Sequence, residues 1–243
     1  MASKGGGRTL KRYAAPRSVK IERKVHVWTT KPVPGPHPQE LSIPLRSLVR
    51  DGLGLGRTAR EADLIINEGK VLVDGVPRRE PKFPVGLMDV IQIPSIEQNF
   101  RILIDRNGRL FASRIDPSEA GFKLCKVVGK RTVRGGEIQL VFHDGRSMKG
   151  AGGEIKPMDV VKMDLKERRM IKTLPFQVGA LALVTGGANV GRVGRISDVR
   201  VISGSQPNIV TLKSDSEEFQ APEKYVFVIG TEEPEIKIQE DRR

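Results

Sequence analysis

Turn dipeptides divide this chain into short segments, and no other feature limits its possible folds as strongly. Asn107-Gly108 and Asp144-Gly145 each lie between runs of alternating apolar and polar residues. Such dipeptides adopt the positive φ angles of a two-residue turn, so each predicts an antiparallel hairpin. Residues 96–172 are therefore expected to be entirely β. With 26 glycines, 16 prolines and 5% aromatic residues, the 243 residues favour several small, turn-rich units over one large α/β core.

The charge distribution predicts a polyanionic partner. The chain carries a formal net charge of +13 at pH 7. Residues 1–39 hold nine basic residues and one acidic residue, residues 40–211 carry a net +9, and residues 212–243 carry −4. A surface this basic attracts nucleic acid first and anionic membrane second. The basic surface therefore comprises both an N-terminal extension and a folded body.

The sequence offers little for metal, redox or acid–base chemistry. A single cysteine, Cys125, and three histidines are too few for a structural zinc site or an internal disulfide. Cys125 is expected to be a small apolar residue within a strand. His143 precedes Asp144, but the turn already accounts for that aspartate, so no catalytic pair is predicted.

Neither a membrane span nor a signal peptide is predicted. No run approaches the ~18 apolar residues that a span requires, and the N-terminus has no apolar stretch. We expect a cytoplasmic protein that contacts no membrane, needs no cofactor and no metal, and takes no small-molecule substrate.

The glycine-rich segment Val184-Thr-Gly-Gly-Ala-Asn-Val-Gly-Arg-Val-Gly-Arg195 has the glycine separation of a phosphate-binding P-loop. Arg192 and Val193, however, occupy the positions where that motif requires Lys and Ser or Thr. The residues that follow alternate like a strand, whereas a P-loop opens into a helix. A strand, a tight glycine loop and a second strand explain more of the pattern. Arg192 and Arg195 beside such a loop favour contact with a phosphodiester backbone over nucleotide hydrolysis.

In residues 42–95, unlike the segments before and after them, apolar residues recur at the spacing of a helix. Thr58-Ala-Arg-Glu61 has the spacing of a capping box and precedes apolar residues at helical intervals. A shorter helix is expected before it, with Arg46 and Arg50 four residues apart on one face. The Asp74-Gly75 turn then predicts a hairpin. The expected unit is helix, helix, hairpin.

The N-terminal extension has too little apolar surface to fold in isolation. Its prolines between Pro32 and Pro38 bar both a helix and a central strand. A polyanionic partner could order it. The single tryptophan, Trp28, lies in this segment, and we favour a role as a packing anchor over a role as a base-stacking platform.

Two short motifs resemble known RNA-binding elements. The glycine-rich segment is similar to the KOW motif, a small β-barrel element of ribosomal proteins and transcription factors. The helical unit resembles the S-four-type RNA-binding domain, whose helical face and hairpin rim bind structured RNA, but it departs from that pattern at Asp63 and Asn67, where basic residues are common. The matching KOW residues are Gly179, Gly186-Gly187, Asn189, Gly191-Arg192 and Gly194, and those of the S-four-type domain are Thr58, Glu61-Ala62, Gly69-Lys70-Val71, Val73-Asp74-Gly75 and Gly86-Leu-Met-Asp89-Val90-Ile91.

The order of these pieces resembles the S-four-e family of small-subunit ribosomal proteins from end to end. That resemblance implies a structural ribosomal protein without catalytic activity, bound to small-subunit rRNA and to neighbouring small-subunit ribosomal proteins. The strings that carry it are Leu10-Lys-Arg-Tyr-Ala-Ala-Pro16, Gly35-Pro36-His37, Phe83-Pro-Val-Gly-Leu-Met-Asp-Val-Ile91, Lys123-Leu-Cys-Lys-Val127, Val184-Thr-Gly-Gly-Ala-Asn-Val-Gly-Arg192 and Phe227-Val-Ile-Gly230.

The expected fold is α+β and mostly β, in five parts. A basic N-terminal extension (1–41) precedes a small helix-helix-hairpin domain of the S-four type (42–95). A central β-rich domain (96–172) leads to an SH3-like β-barrel of the KOW type (173–230), and a charged C-terminal tail (231–243) follows.

Three surfaces are expected to bind RNA together: the extension between RNA helices, the S-four-type face on one helix and the KOW-like loop on another. Linking weak sites in this way raises the overall affinity. Recognition should depend on phosphates, 2′-hydroxyls and shape. The candidate contact residues are Lys4, Arg8, Lys11, Arg12, Arg17, Lys20, Arg23, Lys24, Arg46, Arg50, Arg57, Arg60, Lys70, Asn189, Arg192 and Arg195.

Two alternatives stay open at this point. The first is an RNA-modifying or nucleotide-using enzyme, which would need a catalytic constellation that residues 96–172 do not show at any recognisable spacing. The second is a ribosome- or RNA-polymerase-associated RNA-binding regulatory factor that uses its KOW domain.

Overall fold

The structure is a computed structural model that describes residues 7, 9–150, 154–214 and 217–238. Over these ranges the chain is mostly β with few helices, and its named strands all pair in antiparallel fashion. The first strands are β1 (Leu10–Lys11), β2 (Trp28–Thr29), β3 (Ser42–Pro44), β4 (Leu72–Val73), β5 (Val76–Pro77), β6 (Pro84–Gly86), β7 (Val90–Ile93), β8 (Gln98–Ile104) and β9 (Leu110–Ile115). The remaining strands are β10 (Phe122–Thr132), β11 (Ile138–Phe142), β12 (Ser147–Lys149), β13 (Val160–Asp164), β14 (Met170–Leu174), β15 (Leu181–Val184), β16 (Val193–Arg200), β17 (Ile209–Lys213), β18 (Glu218–Pro222) and β19 (Val226–Gly230).

The helical segments are short. The α-helices are α1 (Leu45–Ser47), which continues as a π-helical turn (Leu48–Gly52), and α2 (Ala59–Asn67). Single 3-10 turns lie at Arg12–Ala14, Gln39–Leu41, Pro94–Ile96, Glu119–Gly121 and Glu223–Tyr225.

Three five-stranded sheets form the body. Their strand orders are β5-β4-β7-β8-β9, β12-β11-β10-β13-β14 and β18-β17-β16-β15-β19, which we call the first, second and third sheets. Two small pairs, β1-β2 and β3-β6, complete the set. The turn dipeptides Asp74-Gly75, Asn107-Gly108 and Asp144-Gly145 lie in the β4–β5, β8–β9 and β11–β12 turns, where each glycine has a φ between 74° and 76°. The three predicted hairpins are therefore confirmed.

Helix α2 begins where the capping pattern predicts. The Glu61 backbone N–H donates to the Thr58 hydroxyl at 3.2 Å, and the Glu61 carboxylate accepts from the Arg57 backbone N–H at 2.8 Å. Ala62 and Ile66 point inward and are fully buried. The preceding helix begins only at Leu45, because β3 takes the chain as far as Pro44 and pairs it with β6.

The first sheet continues past residue 95, where a domain boundary is expected from the sequence. The chain reverses at Pro94–Ile96, Glu97 adopts a φ of 51°, and β8 pairs with β7. Ile102 and Leu103 of β8 then join the same buried cluster as Ile66. The turn signals at this point mark a hairpin within one sheet.

The N-terminal extension packs against the body. Val19 is 7% exposed within the main core and forms a parallel bridge with Leu110, whose N–H donates to the Ser18 carbonyl at 2.8 Å. The packing-anchor interpretation of Trp28 is wrong, since this residue is 55% exposed in β2. Cys125 is fully buried in β10, so its predicted place as a small apolar strand residue is confirmed.

Within the described ranges, no helix has both the length and the apolar character needed to cross a bilayer.

Candidate nucleic-acid interface

The glycine loop between β15 and β16 is shaped by the packing of the protein itself. A Cβ atom on Gly191 would lie 2.5 Å from the Asp105 carbonyl oxygen, and Gly191 has a φ of 76°. A Cβ atom on Gly186 would meet the Tyr225 ring at 2.7 Å. The loop opens into strand β16, and its glycines admit the backbone of the β8–β9 turn. A strand, loop, strand arrangement is confirmed.

The candidate side chains of this loop are held by partners within the chain. Arg192 donates to the Glu217 carboxylate at 2.9 Å, and Asn189 donates to the Gln220 carbonyl at 2.9 Å. Arg195 donates to the carbonyls of Gly179, Thr231 and Glu232 at 3.3, 3.3 and 2.7 Å. These contacts fix the loop against β18 and against the chain that follows β19. Arg192 is partly exposed and Arg195 is exposed, so both guanidinium groups lie at the surface.

On the helical face, two candidate arginines form bidentate ion pairs. Arg46 donates to Asp63 at 2.6 and 2.7 Å, and Arg50 donates to Asp51 at 2.7 and 2.8 Å. The hydrogen bond that Arg50 donates to Asp51 raises the pKa of Arg50 above its usual value, although burial opposes the rise. Asp63, which departs from the basic residue common in the S-four-type pattern, therefore neutralises the nearest cation.

The other candidate residues of this face differ in whether they form an ion pair. Lys70 pairs with Glu68 at 2.5 Å on an exposed surface. Arg57 and Arg60 are exposed at the start of α2, and in the part of the chain that the structure describes their side chains have no ionic partner. Residues 45–70 contain five basic and four acidic residues, so the net charge of the face is small.

In the extension, the candidates divide into structural and free cations. Arg12 is 7% exposed and donates to the Glu22 carbonyl, while Arg23 donates to the carbonyls of Tyr13, Ala15 and Pro16 at 2.9, 2.8 and 3.2 Å. Lys20 is exposed and interacts within the chain. Lys4 and Arg8 lie outside the described residues. The exposed cations that have no partner among the described residues are Lys11, Arg17 and Lys24.

A basic group on the second sheet was missed by the sequence reasoning. Arg131, Arg134 and Lys149 are exposed on β10, in the β10–β11 turn and on β12. Across the described ranges their side chains form no ion pair or hydrogen bond with the protein. Residues 129–149 carry five basic and two acidic residues, and that imbalance next to a Gly-Gly turn is the signal that could have found them.

Some cations serve the interior of the protein. Lys123 is fully buried, and its ammonium group lies 2.9, 2.5 and 3.0 Å from the carboxylates of Asp74, Asp89 and Asp144. Burial lowers the pKa of Lys123, but the three carboxylates outweigh burial, so the pKa lies well above its usual value. Arg146 also binds Asp74, at 2.7 Å. This cluster joins the first sheet to the second.

The same cluster shifts the pKa values of its acids in different directions. Burial opposes ionisation of Asp89, yet Lys123 and His37 hold the pKa of Asp89 below its usual value, and His37 lies 3.0 Å from it. Burial and the neighbouring Asp89 raise the pKa of Asp74. In the described ranges, no group of His, Cys, Asp and Glu side chains is arranged to hold a metal ion.

His143 uses both ring nitrogens within the protein. Its Nδ1 accepts from the Lys126 backbone N–H at 3.1 Å, and its Nε2 donates to the Leu87 carbonyl at 3.3 Å. Desolvation, reinforced by Lys123, lowers the pKa of His143 to about 4. A neutral imidazole with both nitrogens occupied is a structural group.

Comparison with known proteins identifies the family. The sequence matches the model of the ribosomal family S4e at residues 96–170, the RS4NT (NUC023) domain at 4–40 and the S4 domain at 52–91. Small ribosomal subunit protein eS4 of Methanosphaera stadtmanae is 42% identical over 241 residues, which span 99% of this chain and 100% of the relative. The eS4 protein of Methanothermobacter thermautotrophicus is 44% identical over 239 residues, 98% of each chain.

A solved structure of an S4e protein is also similar to this chain. The crystal structure of the 30S ribosomal protein S4e from Thermoplasma acidophilum has a TM-score of 0.69 and 34% identity, and the match covers 79% of this chain and 95% of that one. These matches confirm the resemblance to the S-four-e family and to the S-four-type domain. This chain belongs to the ribosomal family S4e.

Proposed function

We propose that this protein is a structural constituent of the small ribosomal subunit in the cytoplasm, where it binds folded small-subunit rRNA and supports translation. The observation that carries the proposal is the set of exposed cations without partners in the described chain, on the extension and at the start of α2. The similarity to eS4 proteins over nearly the whole chain supports the same role. Neighbouring small-subunit ribosomal proteins are further partners.

Counterion release supplies the binding free energy. Each Lys or Arg that neutralises a phosphate releases condensed counterions, so affinity is high at low salt and falls steeply as salt rises. A-form RNA has a deep, narrow major groove that side chains cannot read, so contacts go to phosphates and 2′-hydroxyls. Exposed cations that form no ion pair within the described ranges are available for such contacts, namely Lys11, Arg17, Lys24, Arg57 and Arg60.

The paired arginines can still contribute at small cost. Arg192 and Glu217 are both more than one-third exposed, at 42% and 63%, and an exposed ion pair is worth about 0–1 kcal/mol. A phosphate can therefore replace the Glu217 carboxylate as the partner of Arg192. The bidentate pairs of Arg46 and Arg50 are less exposed and hold their arginines more firmly.

Each of the three surfaces expected from the sequence contacts a different part of the rRNA. The extension lies between RNA helices, the helical face around α2 docks on one helix, and the β15–β16 loop touches another. We assign the third sheet to an SH3-like barrel of the KOW type and α2 with the β4–β5 hairpin to the RNA-binding part of the S4 domain. The protein acts by binding and catalyses no reaction.

Sedimentation after a high-salt wash tests the proposal. A tagged copy expressed in the source cells should remain with small subunits in a sucrose gradient after the wash, at one copy per subunit. Cryo-electron microscopy of those subunits should show the chain embedded in rRNA. Release by the wash from subunits that are complete without the protein would instead support a regulatory factor that binds through its KOW domain.

A further inference from the structure

We propose that residues 129–149, here called the basic ribbon, form an additional site that binds the phosphate backbone of double-stranded RNA. The ribbon consists of the end of β10, the β10–β11 turn, β11 and β12. The site rests on the proposed function, because its natural ligand would be a helix of small-subunit rRNA.

Strand β10 is long enough to serve two purposes. Its first part, Phe122–Lys126, pairs with β13 in the body, and its last part, Gly129–Thr132, pairs with β11. The pairing with β11 begins at Val127, opposite Phe142, and its register shifts between Val127 and Gly129. Most residues from 131 to 137 are exposed, so this end of the strand pair lies at the surface.

Arg131 and Lys149 lie on the same face of the ribbon. Arg131 is opposite Gln139, and Gln139 is opposite Lys149, so the three side chains form one row across three strands. Two strand spacings place Arg131 and Lys149 about 10 Å apart. The alternate residues, Leu140 and its neighbour Met148, point to the opposite face and pack in the second hydrophobic cluster. The outward row is therefore polar and basic.

The end of the ribbon adds further cations. The β10–β11 turn is closed by a hydrogen bond from the Val133 N–H to the Glu137 carbonyl at 2.9 Å, and it presents Arg134 to solvent. Lys130 donates to the Ile155 carbonyl at 3.0 Å, which brings the exposed Lys156 to the same region.

The chemistry of the ribbon favours a polyanion over a protein partner. A protein hot spot is usually an aromatic or Arg anchor in a well-packed, desolvated pocket, and no aromatic side chain stands in the row of Arg131, Gln139 and Lys149. Arg46 and Arg50 form ion pairs with Asp63 and Asp51, whereas Arg131, Arg134 and Lys149 form no ion pair among the described residues. The minor groove of A-form RNA is wide and shallow, which suits a row of this width.

A charge-matched comparison tests the ribbon. The triple variant R131Q/R134Q/K149Q and the control R114Q/R200Q/K213Q remove the same charge from exposed residues that have no partner in the described chain. With protein-free small-subunit rRNA as the probe, the ribbon variant should bind at least about tenfold more weakly, and the slope of log affinity against log salt should fall by about 2 to 3. Equal losses for ribbon and control variants would show an effect of net charge alone and would overturn the site.

Directed cleavage provides a second readout in assembled subunits. Cys125 is buried and burial raises the pKa of its thiol, so a cysteine introduced by Thr132→Cys is the reactive one. An iron chelate tethered there should cut rRNA within reach of the ribbon, whereas the same chelate attached after Gln206→Cys should not cut at that place. Strong crosslinking to a protein neighbour with no rRNA cleavage would overturn the proposal in favour of protein docking.

The two proposals fail in different ways. If the wild-type chain does not enter small subunits, the proposed function fails. If the wild type enters and the ribbon triple variant matches the control in rRNA affinity and salt slope, the inference about the ribbon fails alone.

Discussion

The ammonium group of Lys123 is enclosed by three carboxylates that come from separate parts of the fold. Asp74 lies in the β4–β5 turn, Asp89 precedes β7 and Asp144 lies in the β11–β12 turn. Each acid also accepts backbone hydrogen bonds or binds a second cation, as Asp74 does with Arg146. Removal of the ammonium would leave the three buried carboxylates without the cation that they share.

Lys123→Met should therefore destabilise the protein by about 3 to 5 kcal/mol, as expected when one member of a buried ionic group is removed. Urea unfolding at neutral pH measures the change. Lys213→Met, at an exposed residue, is the control and should change the stability by less than about 0.5 kcal/mol. A loss below about 1 kcal/mol for Lys123→Met would mean that Arg146 compensates the carboxylates without Lys123.

His143 should make the protein sensitive to mild acid. Its pKa is about 4 in the folded protein and about 6.5 when unfolded. A lowered histidine pKa contributes stability above the unfolded value, and that stability is lost as pH falls from 6.5 towards 4. The loss should be about 2 kcal/mol by about pH 5. In His143→Gln the amide can accept from Lys126 and donate to Leu87 without titrating, so the pH dependence in this window should shrink. If urea unfolding gave both proteins the same dependence of unfolding free energy on pH between 6.5 and 4, His143 would not be the group that titrates.

At the scale of elements, two glycines with nearly equal positive φ angles allow the cost of a crowded Cβ position to be separated from the cost of backbone strain. Gly191 has a φ of 76° and a crowded Cβ position, whereas Gly136 has a φ of 78° and open space. Gly136→Ala should cost about 1 to 2 kcal/mol for the left-handed conformation alone. Gly191→Ala should cost about 1 to 3 kcal/mol more, because Asp105 must move. Thermal unfolding of both variants gives the difference. If both substitutions lowered the stability equally, the β8–β9 turn would be able to move away from the new methyl group at position 191 without loss of stability.

Elements with local signals could be predicted from the sequence, and elements that depend on distant partners could not. The β4–β5, β8–β9 and β11–β12 turns are encoded by adjacent residues, and the cap of α2 by four. Strand β10 is harder to recognise because Lys123 and Lys126 interrupt its apolar pattern. Those lysines are stable inside only because their acceptors, such as Asp74 and the Val226 carbonyl, come from segments far along the chain.

The same reason limits prediction of the interface over the whole molecule. The net positive charge and the family resemblance can be recognised in the sequence. Whether each arginine has a partner within the chain cannot. Arg46 finds Asp63 seventeen residues away, and Arg192 finds Glu217 twenty-five residues away. Only the fold shows that these arginines already have partners, while Arg131 and Arg134 have none among the residues that the structure describes. Sequence reasoning could therefore locate basic regions without distinguishing free cations from structural ones.

The folded extension suggests how the whole molecule meets rRNA. Because Val19 and Ser18 fix the extension to the body, Lys11, Arg17 and Lys24 are held in place before RNA binds, which reduces the ordering cost of the complex. The triple variant K11Q/R17Q/K24Q should bind protein-free small-subunit rRNA more weakly, with a salt slope lower by about 2 to 3.

Trp28 provides an independent signal for the same contact. It is the only tryptophan, it is 55% exposed, and it pairs with Lys11 across β1 and β2, so its fluorescence reports on the extension alone. Titration with rRNA should change the Trp28 emission over the same concentration range as binding, and both curves should move together in the triple variant. Binding with unchanged emission and an unchanged salt slope would place the RNA on the rest of the body, because a bound helix beside Lys11 must alter the solvent around this indole.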